Sequence, residues 1–196
     1  MSAGADGKIL AKVDEIAPDF AATNVDGETV RLTDYLGKTV ILDFWATWCI
    51  PCVRTMPSIE AARRSWQDLD VVVLAVNIED REKAKAFIEE KGYEFSTVLD
   101  PDKEIMALFG VDALPTTFLI DKFGVVRERS DGQKSWLGMN YLMAKERFRR
   151  WTDWRADQGR LGFQRRRKNL PPALDVTVRS TDLGEPRATV ELASID

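Results

Sequence analysis

The stretch Thr39-Val-Ile-Leu-Asp-Phe-Trp-Ala-Thr-Trp-Cys-Ile-Pro-Cys52 holds both cysteines of a 196-residue chain. Its first half, TVILDFW over 39–45, is short, rich in β-branched residues and almost wholly apolar, as expected of a strand buried on both faces. After the cysteines, Met56, Ile59, Ala62, Trp66 and Leu69 recur at three- and four-residue steps, which predicts an amphipathic helix. Pro57 lies inside that helix and, lacking a donor N–H, is expected to kink it. A Cys-x-x-Cys pair between a buried strand and a helix start puts Cys49 at the helix N-terminus. There, unpaired N–H groups and the helix dipole favour a thiolate. Cys52 falls one turn further on, close enough for a small-loop disulfide, and Pro51 stiffens the loop between them. Cys49 can then attack a disulfide and Cys52 can resolve the mixed disulfide.

Composition weighs against the other uses of such a pair. The chain has no histidine, so no Ser/His or Cys/His nucleophile–base pair and no imidazole ligand exists. Zinc usually takes about four protein ligands; here it would have to be shared between two chains. Copper delivery finds no histidine anywhere in the chain. Two inert core thiols would not need the strand–CxxC–helix setting. A disulfide framework needs more cysteines than two. No metal and no cofactor is implied.

Strands and helices alternate along the chain. Asp26-Gly27 is a turn pair between two strand-like runs, and Thr33–Gly37 reads as one capped helical turn. VVVLAVN at 71–77 predicts a second buried strand, and Arg81–Lys91 a polar helix with Ala84, Phe87 and Ile88 inward and Gly92 as its stop. A strand near Phe95–Leu99, a short helix over Asp102–Phe109, and strands Thr116–Ile120 and Val125–Arg129 joined by a tight connection complete the pattern. This is an α/β domain with a central sheet whose last two strands are antiparallel.

Residues 1–15 read as a flexible leader, 16–158 as the domain and 159–196 as an extension. The domain ends in a helix marked by Leu137, Tyr141, Ala144, Phe148 and Trp151. The extension consists of a basic linker and a β-hairpin over residues 176–192. Ten Lys/Arg against three Asp/Glu give 145–168 a charge of +7, leaving −11 elsewhere for the total of −4. Without an aromatic platform or a DNA-reading motif, this reads as a solvated helix face and linker, not a nucleic-acid site. A partner-binding or redox-sensing module using the extension is the alternative to an enzyme. The opening MSAGADGKIL has neither a charged start nor an apolar core, so no export signal is visible.

The stretch 45–52, with its preceding strand and following helix, resembles a thioredoxin-fold active site. Ala17-Pro-Asp-Phe20, Gly37-Lys38, FWATWC, VVVLAVN with a helix after it, and LPTTFLID with Gly124 resemble the TlpA/ResA-like thiol–disulfide oxidoreductases in order, over roughly residues 16–132. The resemblance implies a central mixed sheet flanked by helices, with Cys49 attacking and Cys52 resolving. It makes Pro115 the cis-proline facing the disulfide, although cis is found in only about 5% of X–Pro bonds. Leu114 would pair with an extended substrate through its backbone, and Trp48, Ile50 and Pro51 would meet that substrate at the rim. Trp45 is expected to be packing.

Asp43 stands where thioredoxin has a buried proton-shuttling Asp and many TlpA/ResA-like proteins have Asn. Its carboxylate in a two-face-buried strand should have a raised pKa. The haem-maturation members carry Glu three residues after the second cysteine; here that residue is Thr55. Together these imply a general disulfide reductant. Peroxiredoxins share the APDF opening, but their Thr three residues before the reactive Cys is replaced by Ala46 before Cys49. The resemblance further implies a disulfide-containing protein substrate, a thiol electron donor and a redox partner on the membrane side, in the bacterial periplasm or cell envelope. The signal-free N-terminus leaves two readings open, a cytoplasmic protein or a chain whose leader or anchor has been cut away.

Overall fold

The computed structural model describes residues 11–66 and 69–133. The helix, basic linker and hairpin expected beyond that range lie outside the described residues.

A hairpin of β1 (Ala21–Thr23) and β2 (Thr29–Arg31) is followed by a 3-10 turn at Leu32–Tyr35, then β3 (Thr39–Trp45) and α1 (Ile50–Ser65). β4 (Val71–Asn77), α2 (Arg81–Lys91), β5 (Ser96–Leu99), α3 (Glu104–Leu108), β6 (Thr116–Ile120) and β7 (Val126–Asp131) complete the chain order. The five-stranded sheet runs β5-β4-β3-β6-β7. β3, β4 and β5 are parallel, whereas β6 and β7 are antiparallel additions.

β3 is central because all seven of its residues are buried, which only a strand covered on both faces can be. Alternation sends Ile41 and Trp45 to one face, where they pack with Met56, Ile59 and Trp66 of the helix-α1 region and with Val73 and Leu119. Val40, Leu42 and Phe44 face the opposite core with Phe20, Ile105, Phe109 and Phe118. In that second core the Phe44, Phe109 and Phe118 rings meet edge-on or tilted, with centroids 5.3–6.0 Å apart. Such geometry suits ring quadrupoles.

Each sheet edge is capped in part by chain from near the N-terminus. Asn24 bridges Val98 on the β5 side. On the β7 side, Asp14 N–H donates to Val126 O at 2.8 Å and Val126 N–H to Glu15 O at 2.9 Å. Residues 11–15 are therefore docked rather than a free leader, and Ala11 is buried in the core. Two further differences are local. α3 spans 104–108 because Lys103 adopts a left-handed conformation and the Asp100 carboxylate, from outside the helix, takes the Ile105 and Met106 N–H groups at 3.0 and 2.8 Å. α1 continues as one element through Pro57, whose ring lies on the exposed side.

Candidate active site

The redox pair sits where β3 ends and α1 begins. Cys49 is the N-cap of α1 and Pro51 stands in its first turn, where a missing N–H removes no helical bond. Cys49 and Cys52 are joined as a disulfide, with Cα atoms 5.2 Å apart. The Cys52 N–H donates to Cys49 Sγ at 3.3 Å, so an orphan donor of the helix start already points at the first sulfur. Cys52 is fully enclosed and Cys49 is 4% exposed. The asymmetry follows from helical geometry: the cap lies at the rim, the residue one turn on lies beneath it.

The surroundings divide into a wet rim and a dry floor. Trp48 and Ile50, flanking Cys49 in sequence, are 65% and 64% exposed, and Pro51 is half-buried. Trp45 is enclosed against Phe87, with ring centroids 5.4 Å apart; it packs, as expected. Thr55 is buried, with its hydroxyl donating to Cys52 O at 2.8 Å. The side chain at that position therefore braces the first turns of α1 and offers no acid.

Asp43 lies on the sheet face that carries Ile41 and Trp45, the face packed beneath Cys49, Cys52 and α1. It is 3% exposed. Burial raises its pKa from 3.8 to about 7, opposed only in part by the Thr117 hydroxyl, which donates to Oδ1 at 2.6 Å. Thr117 is its direct neighbour across β3 and β6. Sequence reasoning anticipated the buried acid but not this partner, which is 74 residues away.

β6 runs antiparallel to β3, so its start lies at the same sheet end as the cysteines. The Leu114–Pro115 peptide just before it is cis. Ala113 O accepts from Thr116 Oγ1 and Pro115 O from Gly132 N–H, both at 2.8 Å. These bonds tie the loop on either side of Leu114, whose own backbone takes part in neither.

One residue near the pair escaped the sequence reading. Glu79, just past β4, accepts from Thr47 N–H at 2.5 Å and from Thr47 Oγ1 at 3.0 Å. In sequence it looks like the polar approach to the helix cap Asp80, whose side chain takes Lys83 N–H, and no local pattern marks it.

A thioredoxin-like sheet with a Cys-x-x-Cys disulfide at the strand-to-helix junction defines a protein of thiol–disulfide redox function. Comparison with known proteins narrows the class. The sequence model of the AhpC/TSA family matches residues 13–129. Thiol-disulfide oxidoreductase ResA of Geobacillus thermodenitrificans is 43% identical over 122 residues, covering 62% of this chain and 70% of that protein. ResA of Bacillus anthracis is 36% identical over 120 residues, covering 61% and 69%. Among solved structures, a thiol:disulfide interchange protein of the thioredoxin family from Chlorobium tepidum superposes with a TM-score of 0.58 at 26% identity, over 68% of this chain and 96% of that one. The chain belongs to the AhpC/TSA family and, within the thioredoxin superfamily, to its ResA-like thiol–disulfide oxidoreductases. Its activity is thiol–disulfide exchange.

Proposed function

We propose that the protein works as a reductant of protein disulfides, with Cys49 attacking, Cys52 resolving and Asp43 accepting the proton of Cys52. The observation that carries this reading is the buried Asp43 carboxyl on the sheet face beneath the cysteines, with its pKa raised to about 7. At neutral pH such a group is divided between its two forms, which is the condition for efficient proton transfer in either direction.

The Cys49 thiolate, favoured by the Cys52 N–H and the helix dipole, attacks one sulfur of the substrate disulfide. A Cys49–substrate bond forms, the substrate S–S bond breaks, and the departing thiolate takes a proton. Cys52 then passes its proton to Asp43 and attacks Cys49 Sγ, which expels the second substrate sulfur as a thiolate and leaves the Cys49–Cys52 disulfide; the thiolate takes a proton from water and Asp43 returns its own. Two electrons have moved to the substrate, and a thiol donor returns them. Trp48 and Ile50 supply apolar contact beside Cys49, while Pro115 holds Leu114 where its backbone can pair with an extended substrate. Thr55, in place of an acid, supports a general reductant. Ala46 three residues before Cys49 supports disulfide over peroxide chemistry, despite the family's name.

The reading is tested with the full chain, a thiol donor and a disulfide-linked protein. Cys49→Ser should abolish turnover, and full retention would overturn the assignment. The potential of the pair decides direction. A value toward the roughly −270 mV of reducing members supports reduction, and one near −120 mV reverses it.

A further inference from the structure

The connection 46–49 between β3 and α1 is only four residues long, and its last residue is the helix cap Cys49. Cys49 N–H donates to Ala46 O at 3.1 Å, so the cysteine's place depends on how this loop is held. Thr47, at its centre, gives both of its donors to one carboxylate: the N–H to Glu79 Oε2 at 2.5 Å and the hydroxyl to Oε1 at 3.0 Å. Glu79 is itself fixed. Its N–H donates to Asn77 Oδ1 at 2.8 Å, and Asn77 is fully buried opposite Trp45 in the β3–β4 register. The sheet floor, Glu79, Thr47 and the cap residue thus form one continuous set of contacts. Both Glu79 and Thr47 are half-buried, where charge-assisted bonds are stronger than in open water.

We propose that Glu79 is a positioning residue for Cys49, its two-oxygen grip on Thr47 setting the loop that places the sulfur under the α1 N–H groups and presents Trp48. The proposal rests on Cys49 being the attacking thiol. Two effects of the carboxylate oppose each other. Its negative charge disfavours a nearby thiolate, whereas its grip favours one by keeping Cys49 at the helix cap. The proposal is that the grip dominates. Gln at position 79 separates the two, because its amide oxygen can accept from Thr47 N–H and its amide N–H can donate to Thr47 Oγ1, without the charge.

The experiment uses the full chain in two settings. With Cys52→Ser, Cys49 is the sole thiol and its alkylation by iodoacetamide is followed against pH. With both cysteines present, kcat and KM are measured for reduction of a disulfide-linked protein. Glu79→Ala should move the alkylation midpoint upward and lower kcat/KM roughly tenfold, the scale of a lost charge-assisted bond. Glu79→Gln should keep kcat/KM near wild type, with the midpoint unmoved or lower. An Ala variant whose midpoint is unchanged or lower would overturn the proposal. So would a Gln variant as impaired as Ala, since charge would then be the operative property. Should Glu79→Ala fail to fold, Thr47→Val decides, removing one of the two bonds. A fall of about threefold with an upward midpoint supports the grip, and a wild-type profile refutes it. Persistent turnover in Cys49→Ser would sink the nucleophile assignment, while the alkylation series would still judge the grip.

Discussion

Replacing Asp43 by Asn should make the protein's stability less dependent on pH. In the folded protein burial lifts the Asp43 pKa from 3.8 to about 7. Between those values the native state holds a proton that the unfolded chain has released. The native state therefore binds more protons, and its stability falls by about 1.4 kcal/mol for each pH unit in this window. The total loss once pH is well above 7 is about 4 kcal/mol, of which more than half falls between pH 5 and pH 8. Asn cannot ionise, and its side-chain oxygen can still accept the Thr117 hydroxyl. Any fixed cost of the amide is the same at every pH. The other raised acid, Asp100, whose pKa burial lifts to about 6 against the Met106 and Ile105 N–H bonds, is present in both proteins and cancels. The measurement is urea unfolding of both oxidised proteins at pH 5, 6, 7 and 8, with the disulfide intact so that no thiol titrates. The gap between Asn and wild type should widen in favour of Asn by about 3 kcal/mol from pH 5 to 8. Two parallel stability curves, separated by a constant amount, would refute both the raised pKa and the proton role built on it.

The same substitution should slow resolution more than attack. In single-turnover reduction at pH 7, Asp43→Asn should accumulate the Cys49 mixed disulfide and slow its decay by about 100-fold, the lower range for a lost general base; decay at the wild-type rate would remove Asp43 from the mechanism. At the other side of the sheet, Arg127→Ala should cost about 3 kcal/mol in urea unfolding. The buried guanidinium bonds Asp121 and Asp14 at 2.7 Å each, and its loss leaves the buried Asp121 without its cation, with only the Phe123 and Val125 N–H bonds to Oδ1 remaining. A loss below about 1 kcal/mol, the range of surface pairs, would show that the pair behaves as an exposed one.

Local pattern carried much of the fold. β3, β4, α2 and β6 occupy the ranges that run length, periodicity and stop signals predict, because those signals act between residues two to four apart. The reading weakened where a distant group decided. α3 starts at Glu104 because Asp100 reaches in from the end of β5 to cap it. Residues 11–15 show no period, yet they are held by β7, more than 100 residues away in sequence.

The redox site divides along the same line. The sequence by itself determined that the two cysteines form a pair at a helix start and that an acid is buried six residues earlier. Each follows from spacing along one segment. Tertiary structure alone decided that Thr117 serves Asp43 and that Glu79 holds Thr47. These pairings cross 74 and 32 residues and depend on strand order and register. Sheet order is fixed by the packing of all strands together, so no short segment encodes which residue will face another across it.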